Sequence, residues 1–257
     1  MFPGQPINRM RSDSYSMTMD LSVLSSQIID AAKAEGSCLV GFADITSLRG
    51  MQAGDETVFQ FPSAITFAVE IPEAAVKASL NKPSIEMREA YKMCNKKLKA
   101  AGERIVAMLT DAGYKARFID PAQRVNPEQL LGAISQKAIA AQAGLGWIGR
   151  NGLFITEEYG PRQRMGAVLT DMPVKERATL INNQCGDCTA CIDKCAMKVL
   201  KGARFKHHPS SRDEVIDWAK CGDYEKRLIG DGSKPEMACG RCISVCPFSF
   251  KGERPSG

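Results

Sequence analysis

Eight of the ten cysteines in this chain lie between residues 185 and 246. They form two runs. CGDCTACIDKC holds Cys185, Cys188, Cys191 and Cys195, and CGRCISVCP holds Cys239, Cys242 and Cys246, with Cys221 between the runs. Disulfide frameworks belong to oxidising compartments. The N-terminal MFPGQPINRMRSDSYSMTMD lacks the apolar region of a secretory signal. Clustered cysteines without an export signal read as metal ligands in a reducing cytoplasm. Residues 1–19 read as a disordered leader.

The spacing narrows the metal. Two x2 gaps followed by an x3 gap are the bacterial ferredoxin pattern, in which the fourth cysteine serves the other cluster. Short gaps wrap three thiolates around one cubane, and the x3 gap enters a helix that carries the next cysteine away. One [4Fe–4S] cluster is then expected on Cys185, Cys188, Cys191 and Cys246, and a second on Cys195, Cys221, Cys239 and Cys242. Ala196 stands where proline usually follows, but proline there is a turn aid and not a ligand. Zinc ribbons share the Cys-x2-Cys pair, yet they use pairs of pairs and not triplets.

The rest of the chain has enough apolar residues for a core, at 44% hydrophobic and 25% charged over 257 residues. The net charge of +5 comes without a dense basic block, so no nucleic-acid surface is expected. No apolar run is long enough to span a membrane. Helical spacing of Leu21, Leu24, Ile28 and Ala32 predicts a first helix from Asp20 to Gly36. Met87, Tyr91, Cys94, Leu98, Ala101, Ile105 and Met108 form the apolar stripe of a long helix over 84–112. Residues 128–143 look helical, and strands are expected at 38–44, 64–70, 115–120, 153–156 and 165–171. This mixture without strict alternation predicts an α+β fold. The change of character near Asp171-Met172-Pro173 marks a boundary between a domain over 20–173 and a cysteine-rich module over 174–257.

Cys38 and Cys94 sit in apolar patterns and read as small buried hydrophobes. His207 and His208 read as part of an exposed basic loop. The second unusual stretch is AQAGLGWIGRNGLFI (141–155), where glycines crowd a helix end and a strand start. It is not a dinucleotide fingerprint, because it follows a helix and enters a strand.

GLGWIGRNGL, then EEYGPRQRMGAVLTDMPV, then the two cysteine runs together resemble the epoxyqueuosine reductase family and its short relatives, which are related to the reductive dehalogenases. The resemblance implies a nitroreductase-like N-terminal domain that holds cobalamin, and a ferredoxin-like module that delivers electrons to it. Carried over by position, Gly144, Gly146, Trp147, Ile148, Gly149, Arg150, Asn151, Gly160, Pro161 and Arg162 would line the corrinoid site. The cluster completed by Cys246 would lie nearer to it. The family's acidic Asp-Ser-x-Pro stretch is absent: Leu130 stands near the expected acid and Glu128 is the nearest carboxylate. Tyr159, Glu128 and Lys137 are therefore the candidate proton donors. Larger members carry further helical repeats that help hold tRNA. This chain ends at Gly257, so tRNA is the less expected substrate beside a small molecule or modified nucleoside. The expected activity is a cobalamin-dependent reduction fed by an external low-potential donor. Two alternatives are a non-catalytic electron carrier and a reductase that binds FMN.

Overall fold

The computed structural model describes residues 20–174 and 177–250. The expected leader over 1–19 lies outside them. Helix α1, Leu21–Ala34, starts where the Asp20 side chain accepts from the Ser22 amide at 2.8 Å, and buries Leu24, Ile28, Ala31 and Ala32. Strand β1, Leu39–Asp44, leads to β2, Ser63–Glu70. A short α2, Glu73–Ala78, precedes the long α3, Ile85–Asp111, whose cap is Ser84 Oγ accepting from Met87 N at 3.1 Å. After α3 come β3, Ala116–Ile119, and α4, Gln136–Gln142. The hairpin strands β4, Trp147–Ile148, and β5, Phe154–Ile155, precede β6, Gln163–Thr170.

The main sheet runs β1-β2-β6-β3, antiparallel throughout. Period-two alternation sorts its faces. Ile65, Phe67, Val69 and Val168 meet Leu24, Ile28, Leu98 and Ile105 of α1 and α3 in the largest core cluster. The opposite face shows small residues: Ala64 and Ala167 pack with Ile139 of α4, and Ala68 with Ala140 and Ala141. Small side chains there let α4 lie close to the sheet. Gly102 plays the same part on α3, since a Cβ would meet the Phe118 ring at 2.2 Å.

The expected helix over 128–143 is shortened. Ser135 caps α4 by accepting from Ala138 N at 3.3 Å, and the preceding residues form an irregular loop in which Leu130 has φ of 52°. The apolar spacing of 128–135 belongs to a loop folded over a cavity.

Four short helices carry the cysteine-rich segment: α5, Ala190–Lys194; α6, Arg212–Val215; α7, Trp218–Ile229; and α8, Arg241–Ser244. Helix α8 packs against α5 and against α2. A bridge pairs Ser84 with Ala238, and Ala238, Ile243 and Phe250 enter the same core cluster as Met87 and Leu98. The cysteine-rich segment therefore shares the core of the α+β body.

Candidate functional site

The x3 gap behaves as the spacing requires. Cys191 lies in α5 and Cys195 caps its end; Cys242 lies in α8 and Cys246 follows it. Cys221 is on α7. Burial pushes the Cys246 thiol up to about 12, and Cys185, Cys191 and Cys188 are the thiols that raise it further. Burial also raises Cys242, whose neighbouring thiols are Cys239, Cys221, Cys191 and Cys195. Cys221, raised to about 11 chiefly by burial, has Cys195 and Cys239 beside it. Two neighbourhoods emerge, with Cys191 of the first set within electrostatic reach of Cys242 in the second. Among the described residues no three His, Cys, Asp or Glu side chains converge on a point that could hold a single metal ion.

Cys185, Cys188, Cys191 and Cys246 surround a cavity of 390 Å³ together with Arg150, Asn151, Ile155 and Phe248. Two buried donors here have no protein partner: Arg150 Nε and Trp147 Nε1. Trp147 packs with Cys246 and meets the Phe248 ring edge-on at 5.0 Å. A sulfur-rich group in this cavity would satisfy such donors, and the thiol set fits an iron–sulfur cluster.

The larger cavity, 490 Å³, opens between α4, β6, the loop before α4 and the α6–α7 segment. Ile148, Leu153, Phe154 and Met165 give it an apolar wall; Lys137, Asn151, Gln163, Arg164 and Arg212 give it polar groups. Its size and mixed lining are those of a cofactor or substrate site. Gln163 is 8% exposed and its Oε1 accepts no hydrogen bond. That orphan acceptor fits a ligand rimmed with amide donors, as a corrinoid is. Of the eight clustered cysteines, Cys221 lines this cavity.

The glycine-rich block is distributed over several tasks. Ile148, Asn151 and Pro161 line the large cavity. Asn151 also lines the small one and donates to Cys242 O at 3.1 Å, so it ties the two sites together. The others serve the scaffold. A Cβ on Gly144 would meet Ala178, and Cβ atoms on Gly146 and Gly149 would collide with Ile155. Gly160, with φ of 57°, lets Phe248 O approach to 2.3 Å of where a Cβ would stand. Arg150 donates to Cys188 O at 2.7 Å and Gly202 O at 2.9 Å, bracing the first cysteine run. Arg162 donates to Ser249 O and pairs with Glu70 at 2.5 Å, bracing the segment after Cys246. Trp147 packs behind the small cavity, against its lining residues Ile155, Cys246 and Phe248.

The three candidate proton donors separate clearly. Lys137 lines the large cavity, where its Nζ donates to Gly152 O at 2.5 Å. Burial, with Arg212 and Arg164 adding to it, lowers its pKa to about 8. Glu128 is exposed and lines neither cavity. Tyr159 is half-buried outside both cavities, and burial, with Cys38 and Glu158 nearby, raises its pKa to about 12. The loop over 120–135 leaves Glu128 exposed, and Tyr159 stands in the tight turn closed by the Thr156 and Gly160 backbone bonds. His208 lines the large cavity, contrary to the exposed loop expected, and His207 is half-buried. Arg124, Arg164 and Arg212 also line this cavity and carried no sequence signal, because they come from segments far apart in the chain. Cys94 is buried in the core and Cys38 is half-buried, with its thiol toward Ala68 O at 3.3 Å.

No family model matches the chain. The epoxyqueuosine reductase of Pseudomonas aeruginosa is 32% identical over 172 residues, covering 66% of this chain and 44% of that protein. That of Gloeobacter violaceus is 30% identical over 178 residues, 65% of this chain and 49% of the relative. The chain is a relative of the epoxyqueuosine reductases. It spans about half the length of these curated epoxyqueuosine reductases or less. A tetrachloroethene reductive dehalogenase of Desulfitobacterium hafniense is 30% identical over 125 residues, 43% of this chain and 21% of that one. The fold agrees. The epoxyqueuosine reductase structure from Streptococcus thermophilus superposes with a TM-score of 0.57 at 20% identity, covering 93% of this chain and 69% of that one. The catabolic reductive dehalogenase NpRdhA superposes with a TM-score of 0.68 at 17% identity, covering 87% and 31%. Among the described residues no helix is long and apolar enough to cross a membrane.

Proposed function

We propose that this chain is a cobalamin-dependent reductase that carries two [4Fe–4S] clusters. In this reading residues 20–173 form a nitroreductase-like corrinoid domain and the segment from 174 onward a ferredoxin-like module. The observation that supports it most is the grouping of the thiols, with Cys246 near Cys185, Cys188 and Cys191, Cys221 near Cys195 and Cys239, and Cys221 also lining the larger cavity. Four of the thiols line the smaller cavity, and the x2-x2-x3 spacing of the first run favours a polynuclear cluster over zinc. One related reductive dehalogenase structure is described as showing a B12-dependent mechanism. A corrinoid bound in the 490 Å³ cavity would supply a strongly reducing, nucleophilic cobalt centre.

The protein's own residues do the rest. Ile148, Leu153, Phe154 and Met165 keep water from one wall. Gln163 Oε1 offers an acceptor to a ligand amide. Lys137 holds a proton at Nζ, oriented by Gly152 O, and its pKa of about 8 leaves it protonated at neutral pH yet a better acid than a surface lysine. It takes the role that the missing acidic stretch plays in the family. Electrons enter from an external low-potential donor and leave on a small molecule or modified nucleoside. One solved relative is described with an epoxyqueuosine-modified tRNA stem loop (TM-score 0.52), so a tRNA-borne nucleoside stays among the candidates.

The test is anaerobic reconstitution with iron and sulfide, addition of cob(II)alamin, and EPR. A corrinoid signal altered by the protein, with cobalt reduced through the clusters, is the expected result. Two reducible clusters beside an unchanged corrinoid signal would overturn the corrinoid assignment in favour of an electron carrier or a flavin enzyme.

A further inference from the structure

The larger cavity is unusual in its charge. Arg124, Lys137, Arg164 and Arg212 line it, and Asp120 is the one carboxylate among its described lining residues. Elsewhere in the protein cations find acids: Arg88 meets Glu236, Arg117 meets Asp55, Arg162 meets Glu70 and Arg177 meets Asp44. Among the described residues the hydrogen bonds of the four in the cavity go to neutral groups, with Asp120 near Arg164 and Asp213 near Arg212 as the acids that act on them. Lys137 donates to Gly152 O; Arg164 to Asn95 Oδ1 at 2.9 Å and Pro121 O at 3.1 Å, with the Tyr91 ring 5.4 Å away. Arg124 reaches Pro121 O at 3.4 Å. Arg212 donates to Leu130 O at 3.2 Å and to Gln129 O, and stacks on Trp218 at 4.3 Å. Its Nε is buried with no partner.

These cations also repel one another. Arg212, Arg164 and Arg124 each depress Lys137, and Arg124 depresses both Arg164 and Arg212. Collecting like charges in a partly desolvated space is costly unless something of opposite sign enters. Carbonyl partners orient these groups without neutralising them. Lys137 has three ammonium donors and one protein acceptor, and a guanidinium presents five donors in a fork suited to carboxylate or phosphate.

We infer that the 490 Å³ cavity is an oxyanion site, built to hold a phosphate or carboxylate carried by its ligand between Lys137, Arg164, Arg212 and Arg124. The inference rests on the reading of this cavity as the ligand site, but not on the ligand being a corrinoid. Two sources share the chemistry: an acidic substrate, and the phosphate in the nucleotide tail of cobalamin. The negative charge of the adjacent Cys221 cluster is the competing explanation for the cations.

Calorimetric titration of the cluster-loaded, corrinoid-free protein with inorganic phosphate tests it. Saturable binding is expected, weakened roughly 10-fold or more by Lys137→Gln and several-fold, about 5-fold, by Arg124→Gln on the exposed loop. Lys92→Gln, at a surface lysine paired with Glu236, should bind as wild type. Absence of saturable binding in the loaded wild type, or equal binding by all variants, would overturn the inference and leave the cations as counter-charges to the cluster. A repeat with cobalamin and with cobinamide, which lacks the nucleotide tail, identifies the source. Phosphate displaced by cobalamin but not by cobinamide supports the site with the corrinoid's own phosphate as tenant. Phosphate retained beside both corrinoids supports it with an acidic substrate. If neither corrinoid binds, the phosphate titration still decides the oxyanion site.

Discussion

The two cavities differ in how they are made. The smaller draws its thiols from two compact runs and its walls from the Gly-Trp block, so short stretches of chain specify it. The larger takes its lining from the loop after β3, α4, β6, and α6–α7. The first is walled by sulfur and the orphan Nε of Arg150, the second by cations that form no ion pair among the described residues, over an apolar floor. A site that holds a cluster can be a local motif. A site that must exclude water and bind an organic ligand is assembled by the fold.

The largest effects should come from the cysteines. Cys221→Ser and Cys188→Ser should each remove one cluster and about half the iron. With dithionite as donor, Cys188→Ser should keep slow corrinoid reduction and Cys221→Ser should lose it. The opposite ranking in stopped-flow spectra would favour the order implied by the family resemblance, with the Cys246 set nearer the corrinoid. Next is Lys137→Gln, expected to slow single-turnover reduction by about 10² to 10⁴-fold. With Lys137 as the proton donor, the wild-type rate should fall as pH rises through about 8. In Lys137→Gln that limb should vanish; a limb that survives places the donor elsewhere. The same group has a stability consequence. Its folded pKa of about 8 lies below the ordinary lysine value, so the unfolded chain binds the extra proton between the two. This contribution lowers stability below pH 8 and fades as pH climbs from there toward 10.5.

Smaller effects sharpen the contrast at the joint between chain segments. Gly160→Ala drives a Cβ against Phe248 O at 2.3 Å in a left-handed conformation and should cost about 2–3 kcal/mol, or roughly 4–10 °C in melting temperature. Gly186→Ala meets nothing within 4 Å and should lose only the φ term, about 1 kcal/mol. Equal losses would deny the close approach at Gly160. The smallest change is in potential. Trp147→Phe removes an orphan donor beside Cys246 and should make the Cys185/188/191/246 cluster harder to reduce, by on the order of 50 mV in a redox titration. An unmoved potential would show that the indole does not face the cluster.

Much of the scaffold was legible because its signals are periodic. The apolar stripe from Met87 to Ile105 describes most of the buried face of α3, and slips at Ala90, buried beside a half-buried Tyr91, and at the end, where Leu109 is buried in place of Met108. A 3.6-residue turn drifts against a 3.5-residue spacing, which accounts for the slip at the end. The strands over 39–44, 63–70 and 163–170 followed from their apolar runs. The loop over 120–135 was not legible: its apolar residues serve a cavity and follow no period. The glycine block was found, but its division into turn, brace and lining residues depends on contacts with Ile155, Phe248 and Ala178, which lie outside the block. The cationic lining had no local signal at all.

Cys246 gains a further meaning from its place between Ile243 and Phe250, both set in the main core. Arg162 on β6 grips the carbonyl of Ser249, and Lys77 of α2 lies 5.2 Å over the Phe250 ring. The fourth thiol of the first set is thus delivered by almost the last described turn of chain, some sixty residues after Cys185, Cys188 and Cys191 have been made (residues 185–246). On a translating ribosome the first run emerges with three thiols and no fourth. With Cys246 as the proposed fourth ligand, the site would be completed only after synthesis has passed Cys246 and the closing segment has docked, and metal loading would be timed by the folding of the whole body.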